Sequence, residues 1–364
     1  MILIRRFFFV SLLIGIAISG TLFGQYKSKY PDIPIVDVHI HPTGVHDVSN
    51  FLKVSEIIKH KYGSNLAYWV NLGDWMTLGS WVDPSRWGNM DEWLRPGDSH
   101  SVEDMKTASQ NRMLFAVSQI SPHKGLTITA EEVAEKVRQG DVGLKFWFGD
   151  PRRVIKEGEA GYKTVDDPYF ENFFSSLERA NVLMASFHIA DPNGPYGNRQ
   201  IWMANPVDYW THLRAFENVV AKYPKLTIVA AHGAWLVCQD AQLDYLRYML
   251  STYPNLYIDI AATFQYMSLL NPDNIRDFYI EFQDRIVYGT DGGRLPDNAV
   301  ERTADRYANT FAILETDMDV SDGFFGNVGK KPIKGLNLPR EILEKIYYKN
   351  AVKLYPGLKE KMSN

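Results

Sequence analysis

The stretch IVDVHIH, Ile35–His41, carries two histidines two residues apart at the end of an apolar run. Side chains two apart on a strand face the same way. His39 and His41 are therefore expected to project together from the carboxyl end of a strand. What surrounds that strand decides what they do.

Seven further β-rich runs follow, at 66–71, 113–120, 142–148, 182–189, 226–232, 256–262 and 285–290, and several are apolar on both faces. Helical patterns lie between them, among them 130–140, 168–181, 206–223, 240–253 and 299–315. Strands buried on both sides, with helices in between, define a parallel sheet covered by helices. Eight such units predict an α/β fold, a single (β/α)8 TIM barrel. An open doubly wound sheet is the competing arrangement. One more amphipathic helix, at 339–355, is expected outside the barrel. No composition shift splits 30–357, so 25–364 reads as one barrel domain.

The first residues stand apart. Arg5 and Arg6 precede the apolar run FFFVSLLIGIAI, and Ser19, Gly20 and Gly24 follow it. That is the layout of a secretory signal over 1–24, cleaved after Gly24, and it predicts a periplasmic or secreted protein with no stable membrane insertion after cleavage. The competing reading is an uncleaved anchor, since Phe7 to Tyr26 carries no charge and is long enough to span a bilayer. Glycine and serine in its second half argue against that. Of 364 residues, 45% are hydrophobic and 23% charged, enough for a large core and too apolar for disorder. The net charge of -4 comes from interleaved acids and bases without a basic patch, which argues against nucleic acid as a partner. The single cysteine, Cys238, cannot form an intramolecular disulfide and reads as a small buried apolar residue.

Other strands end as the first does. His188 ends VLMASFH, His232 ends LTIVAAH, and Asp291 follows RIVYGT. The carboxyl ends of the strands are where barrel enzymes place their chemistry. One histidine at a strand end is ordinarily a hydrogen-bonded surface or core residue, but here the pattern recurs on four of eight strands. Neutral imidazoles with a carboxylate form a ligand set for a divalent transition metal, zinc being the commonest.

Six motifs, VDVHIHP (36–42), FHIADP (187–192), IVAAHGAW (228–235), YPNLYIDIAAT (253–263), RIVYGTDGGR (285–294) and KIYYKNAVKLY (345–355), resemble those of the amidohydrolase superfamily. Within it they are similar to the amidohydrolase 2 group, which also contains decarboxylases and lactonases. The resemblance runs through nearly the whole chain beyond the signal. It implies one divalent ion, expected to be Zn2+, bound by His39, His41, His188 and Asp291, with His232 beside the bound water or the substrate. Such an ion lowers the pKa of water towards roughly 7. Asp291 would then take and return a proton, and His232 would hydrogen-bond the water or polarise a carbonyl oxygen. Hydrolysis of an amide or an ester, including a lactone, is the expected reaction on a small metabolite. Non-oxidative decarboxylation of a small carboxylic acid is the main alternative. A catalytically inactive ligand-binding barrel is a further one, against which the intact strand-end set argues.

Further residues are candidates for substrate contact. Lys145, on the fourth strand, bridges two metals if carboxylated, as in binuclear members of the superfamily; otherwise it is a cation for substrate or barrel-mouth carboxylates. Arg199, in the loop after strand five, suits a substrate carboxylate. Trp235, in the strand-six motif, is the third candidate. Trp69, Trp75, Trp81, Trp87 and Trp93 fall in a segment that either covers the site or packs its own small core. His46 is placed in the loop after strand one, and His60, His100, His123 and His212 read as solvated or capped imidazoles on helices or loops. The expected partner is a small-molecule substrate, and a homo-oligomer is compatible with the sequence.

Overall fold

The computed structural model describes residues 26–73, 97–120, 126–148, 164–189, 206–329 and 331–363. The signal, Arg199, His123 and the tryptophans at 75, 81, 87 and 93 lie outside the described residues. Strands form where the sequence runs β-branched and apolar: β1 Pro34–Ile40, β2 Asn65–Asn71, β3 in two runs (Met113–Phe115 and Val117–Ile120), β4 Leu144–Phe148, β5 Met184–Ile189, β6 Ile228–Ala230, β7 Leu256–Asp259 and β8 Ile286–Val287. Each pairs in parallel with the next. The break in β3 is a change of partner: its first run pairs with β2 and its second with β4.

The circle closes between β8 and β1. Val38 donates to Tyr288 O (3.0 Å), Asp291 to His39 O (2.8 Å) and His41 to Gly292 O (2.6 Å), with a parallel bridge between Ile40 and Gly292. The protein is an eight-stranded parallel α/β barrel, not an open sheet.

The helices are α1 Val45–Ile57, α2 Val102–Ala108, α3 Ala130–Arg138, α4 Glu171–Arg179, α5 Pro206–Lys222, α6 Asp240–Thr252, α7 Pro272–Glu281 and α8 Val300–Glu315. Sequence sets their starts. Thr129 and Glu132 form a reciprocal capping box on α3, and Asn271 caps α7 ahead of Pro272. No helix among the described residues is long and apolar enough to cross a membrane.

The last helical run, 340–354, does more than lie outside. It crosses the closing seam, where Ile346 O in its π turn accepts the Tyr288 N–H (3.0 Å) and Asn350 Nδ2 donates to Gln283 O and Ile286 O (both 2.7 Å). Beyond it Tyr355 and Leu358 pack with Val36, Val38, Val229 and Val287, and the Tyr355 hydroxyl donates to Ala185 O (2.9 Å).

Candidate metal centre

The register of β1 against β2 slips by one residue between Asp37 and Ile40. Such a bulge re-aims side chains. Asp37 accordingly turns to α8 and β8, accepting from the Tyr307 hydroxyl (2.6 Å), the Thr290 hydroxyl (2.6 Å) and the Thr290 N–H (3.1 Å). His39 and His41 turn to the barrel mouth, both buried. Gly289 leaves them room, because a Cβ there would lie 3.0 Å from His39 Cβ.

Three donor atoms converge. His39 Nε2 and His41 Nε2 are 3.2 Å apart, and each is 3.3 Å from Asp291 Oδ1. Ligands at tetrahedral corners about 2.0 to 2.1 Å from a zinc ion are separated by roughly 3.3 to 3.4 Å. The triangle therefore has the edges that one small cation requires. The outer nitrogens are pinned by oxygen: His39 Nδ1 by Asp259 Oδ2 (2.8 Å) and His41 Nδ1 by Gly73 O (2.6 Å). That fixes Nε2 of each towards the centre, the usual outer-sphere arrangement of metal-binding histidines. Burial and the Lys145 ammonium act to lower the His39 pKa, yet Asp259 and Asp291 outweigh them and raise it. Positive charge is stabilised at that imidazole. Burial lowers the His41 pKa. On Asp291 burial acts upward, but hydrogen bonds from His39 and His41 hold the carboxyl well below its usual range.

His188 and His232 form a second pair. A carbonyl can only accept, so Ala261 O, 2.8 Å from His232 Nδ1, places the proton there. His232 Nε2 is then a lone pair, and it accepts from His188 Nδ1 at 3.1 Å. His188 Nε2 is left as a lone pair, buried and without a partner among the described residues. An unmatched buried acceptor of this kind suits a cation. Burial, chiefly, lowers the pKa of His232 to about 4 and of His188 well below its usual value. Among the described residues the groups close enough to share an ion are His39, His41 and Asp291, and His39, His232 and Asp259. His188 is in neither and stands against His232 instead.

Lys145 is buried, its Nζ 3.3 Å from His39 Nε2 and 3.0 Å from Ser186 Oγ, the residue opposite it on β5. Burial lowers its pKa to about 8. Trp235 stacks on His232, with centroids 4.3 Å apart and planes at 28°.

The backbone here is strained. His232 (φ 57°, ψ 28°), Gly233 (56°, 34°) and Ala234 (54°, 26°) are followed by Trp235 at φ 59°, giving a left-handed turn straight after β6. The left-handed form costs roughly 1–2 kcal/mol per non-glycine residue. Ala262 after β7 (φ 51°) and Asp291 after β8 (φ 68°) share that conformation, so strain collects at one end of the barrel, as it does at functional sites.

Other histidines differ from expectation. His46 lies in the first turn of α1, not a loop, with Nε2 3.1 Å from Asp297. His212, on α5, is buried against the Phe148 ring, not solvated. His60 is exposed in an (i, i+4) pair with Glu56, and the His100 ring bonds Thr43 O. Trp69 is a buried residue of β2 beneath the Arg112 guanidinium, and Cys238 is a buried thiol outside any disulfide. Asp259 is a residue that reading for strand-end histidines missed, although it ends β7 at the same level of the barrel.

A parallel barrel with imidazoles and a carboxylate gathered at the carboxyl ends of its strands is the framework of a metal-dependent enzyme. A family model described as Amidohydrolase matches residues 36–357, and the chain belongs to that family. Solved structures similar to it include an uncharacterised TIM-barrel protein from Bordetella bronchiseptica (14% identity, 88% of this chain and 98% of that one, TM-score 0.49). Another is 5-carboxyvanillate decarboxylase from Novosphingobium aromaticivorans, complexed with manganese and 4-hydroxy-3-methoxy-5-nitrobenzoic acid (11% identity, 91% and 98%, TM-score 0.47). A third is an amidohydrolase from Burkholderia multivorans with bound zinc (11% identity, 88% and 98%, TM-score 0.42). No curated protein sequence matches the chain.

Proposed function

We propose that the protein is an exported metal-dependent hydrolase acting on a C–N or C–O bond, amide or lactone, of a small metabolite. The observation that carries this is the triangle of His39 Nε2, His41 Nε2 and Asp291 Oδ1, with edges of 3.2 to 3.3 Å. These residues, with the free lone pair of His188, would hold one divalent ion, and the nitrogen-rich set suits zinc. When bound, such an ion supplies a Lewis acid and water acidic enough to act as a nucleophile at neutral pH.

The chain supplies the rest. The Asp291 side chain, 30% exposed, reaches solvent and takes a proton from the nucleophilic water, returning it to the leaving group. His232, neutral with its proton fixed on Nδ1 and its Nε2 lone pair accepting from His188 Nδ1, has no N–H to polarise a carbonyl and instead orients His188 beside the site. The Lys145 ammonium offers positive charge to an anionic part of the substrate. Residues 1–24 direct export and are removed.

Plasma emission and steady-state rates test the assignment together, on whichever substrate emerges from a screen of sugar lactones, N-acyl compounds and aromatic carboxylates. His232→Asn is expected to keep most of its metal and lose about 10²-fold in turnover. Asp291→Asn is expected to lose metal and activity alike, with no recovery at high pH. If His232→Asn lost metal as readily as His39→Asn, His232 would be a ligand. Release of carbon dioxide without hydrolysis would replace the hydrolase reading with a decarboxylase.

A further inference from the structure

We propose that Trp235 is the hydrogen-bond donor to the substrate oxygen on which negative charge develops, a role that rests on the hydrolase reading above. The site is rich in acceptors and its imidazole donors are engaged. His232 gives its one N–H to Ala261 O, His188 Nδ1 pairs with His232 Nε2, His39 Nδ1 pairs with Asp259, and His41 Nδ1 pairs with Gly73 O. Lys145 Nζ is within reach of both Ser186 Oγ and His39 Nε2.

Besides the Lys145 ammonium, the indole N–H of Trp235 is the donor left over. It is buried and has no partner among the described residues. An indole nitrogen can only donate, and an unmatched buried donor is costly to keep. The ring lies among the site's own groups: stacked on His232 at 4.3 Å and edge-on to His188 at 6.1 Å. Backbone holds it there. The left-handed turn from His232 to Trp235 is tied at one end by the His232 N–H to Asp259 Oδ1 (2.9 Å) and closed at the other by the Leu236 N–H to Gly233 O (3.0 Å). A donor fixed in advance, whose acceptor arrives with the substrate, is what stabilisation of a developing oxyanion requires. Because both ring nitrogens of His232 are engaged, Trp235 is the one of these two stacked neighbours with an N–H to give the carbonyl oxygen.

Acetate, an oxygen acceptor with no bond to cleave, is the probe. In zinc-loaded protein labelled with indole-15N tryptophan, the Trp235 resonance is the one missing from Trp235→Phe. Acetate is expected to move that resonance downfield saturably. The shift is read in the unaltered protein, and Trp235→Tyr gives the same assignment should Trp235→Phe fold poorly. On the substrate found by the screen, Trp235→Phe keeps a stacking ring without the N–H. It is expected to lower kcat about 10²-fold, with KM within about threefold and the pH profile unchanged. If acetate shifts the visible bands of the cobalt-loaded protein while the Trp235 resonance stays still, the proposal is overturned. If cobalt produces no such bands at all, the metal-dependent hydrolase reading fails and takes the proposal with it.

Discussion

One carboxylate governs two imidazoles. Asp259 Oδ2 accepts a hydrogen bond from the His39 Nδ1–H, while Oδ1 accepts the backbone N–H groups of His232 (2.9 Å) and Ala261 (3.1 Å). It thereby fixes the tautomer of the first histidine and the position of the second. Asp259→Asn keeps the volume but weakens that hold, and metal affinity is expected to fall about 10- to 100-fold. Calorimetric titration of metal-free protein measures this, with circular dichroism to show an intact fold; unchanged affinity would mean that Asp259 does not govern His39. The strand-end rule that picked out His39, His188 and His232 applies equally to Asp259, so this residue was legible in principle. Asp37 was not. Period-two spacing groups it with His39, and only the slipped register of β1 separates them. Nothing in VDVHIHP announces an extra residue in the ladder.

At the scale of the elements, all eight strands stand where alternation and β-branching put them, because parallel strands buried on both faces leave continuous apolar runs. Their ends were harder to read. The sixth, seventh and eighth runs stop short of the sequence reading at Ala230, Asp259 and Val287, and left-handed backbone follows at His232, Ala262 and Asp291. Sequence signals that conformation through glycine, and none of these three is glycine. His212 shows a similar blind spot. Its surroundings on α5 include Phe148, a residue of β4 more than sixty positions earlier, and burial there lowers its pKa to about 4. An unfolded imidazole binds its proton near pH 6.5. Between those values the unfolded chain holds more protons, so stability is lost as pH falls from about 6.5 to about 4, by roughly 3 kcal/mol, and levels off below. Urea midpoints across that range should show the slope, to which the buried His188 and His232 also contribute, and His212→Leu should make it shallower. Parallel curves for parent and variant would refute the assignment.

In the molecule as a whole, both ends of the barrel sequence meet at one seam. The chain's entry to the fold is already packed: Tyr26 is buried beside Tyr62, and Ser28 and Lys29 bond to the buried Glu315 of α8. A bilayer anchor reaching to Tyr26 would compete with that packing, whereas cleavage after Gly24 leaves it whole. Protein recovered from its native host is therefore expected to show an intact mass lacking the first 24 residues, give or take neighbouring small residues; full-length protein in the membrane fraction would overturn this. The overall barrel was legible because eight repeated units signal it. The seam was not, since pairing of the first strand with the last leaves no local mark. Its geometry has a consequence in time. His39 belongs to the first strand and His41 directly follows it, and Asp291 follows the last, about 250 residues later. During synthesis the two histidines are made early and wait. A nascent chain that has not yet delivered β8 has half of the donor triangle and nothing to close it, so on the proposed metal-centre reading an ion would be loaded only into the finished barrel.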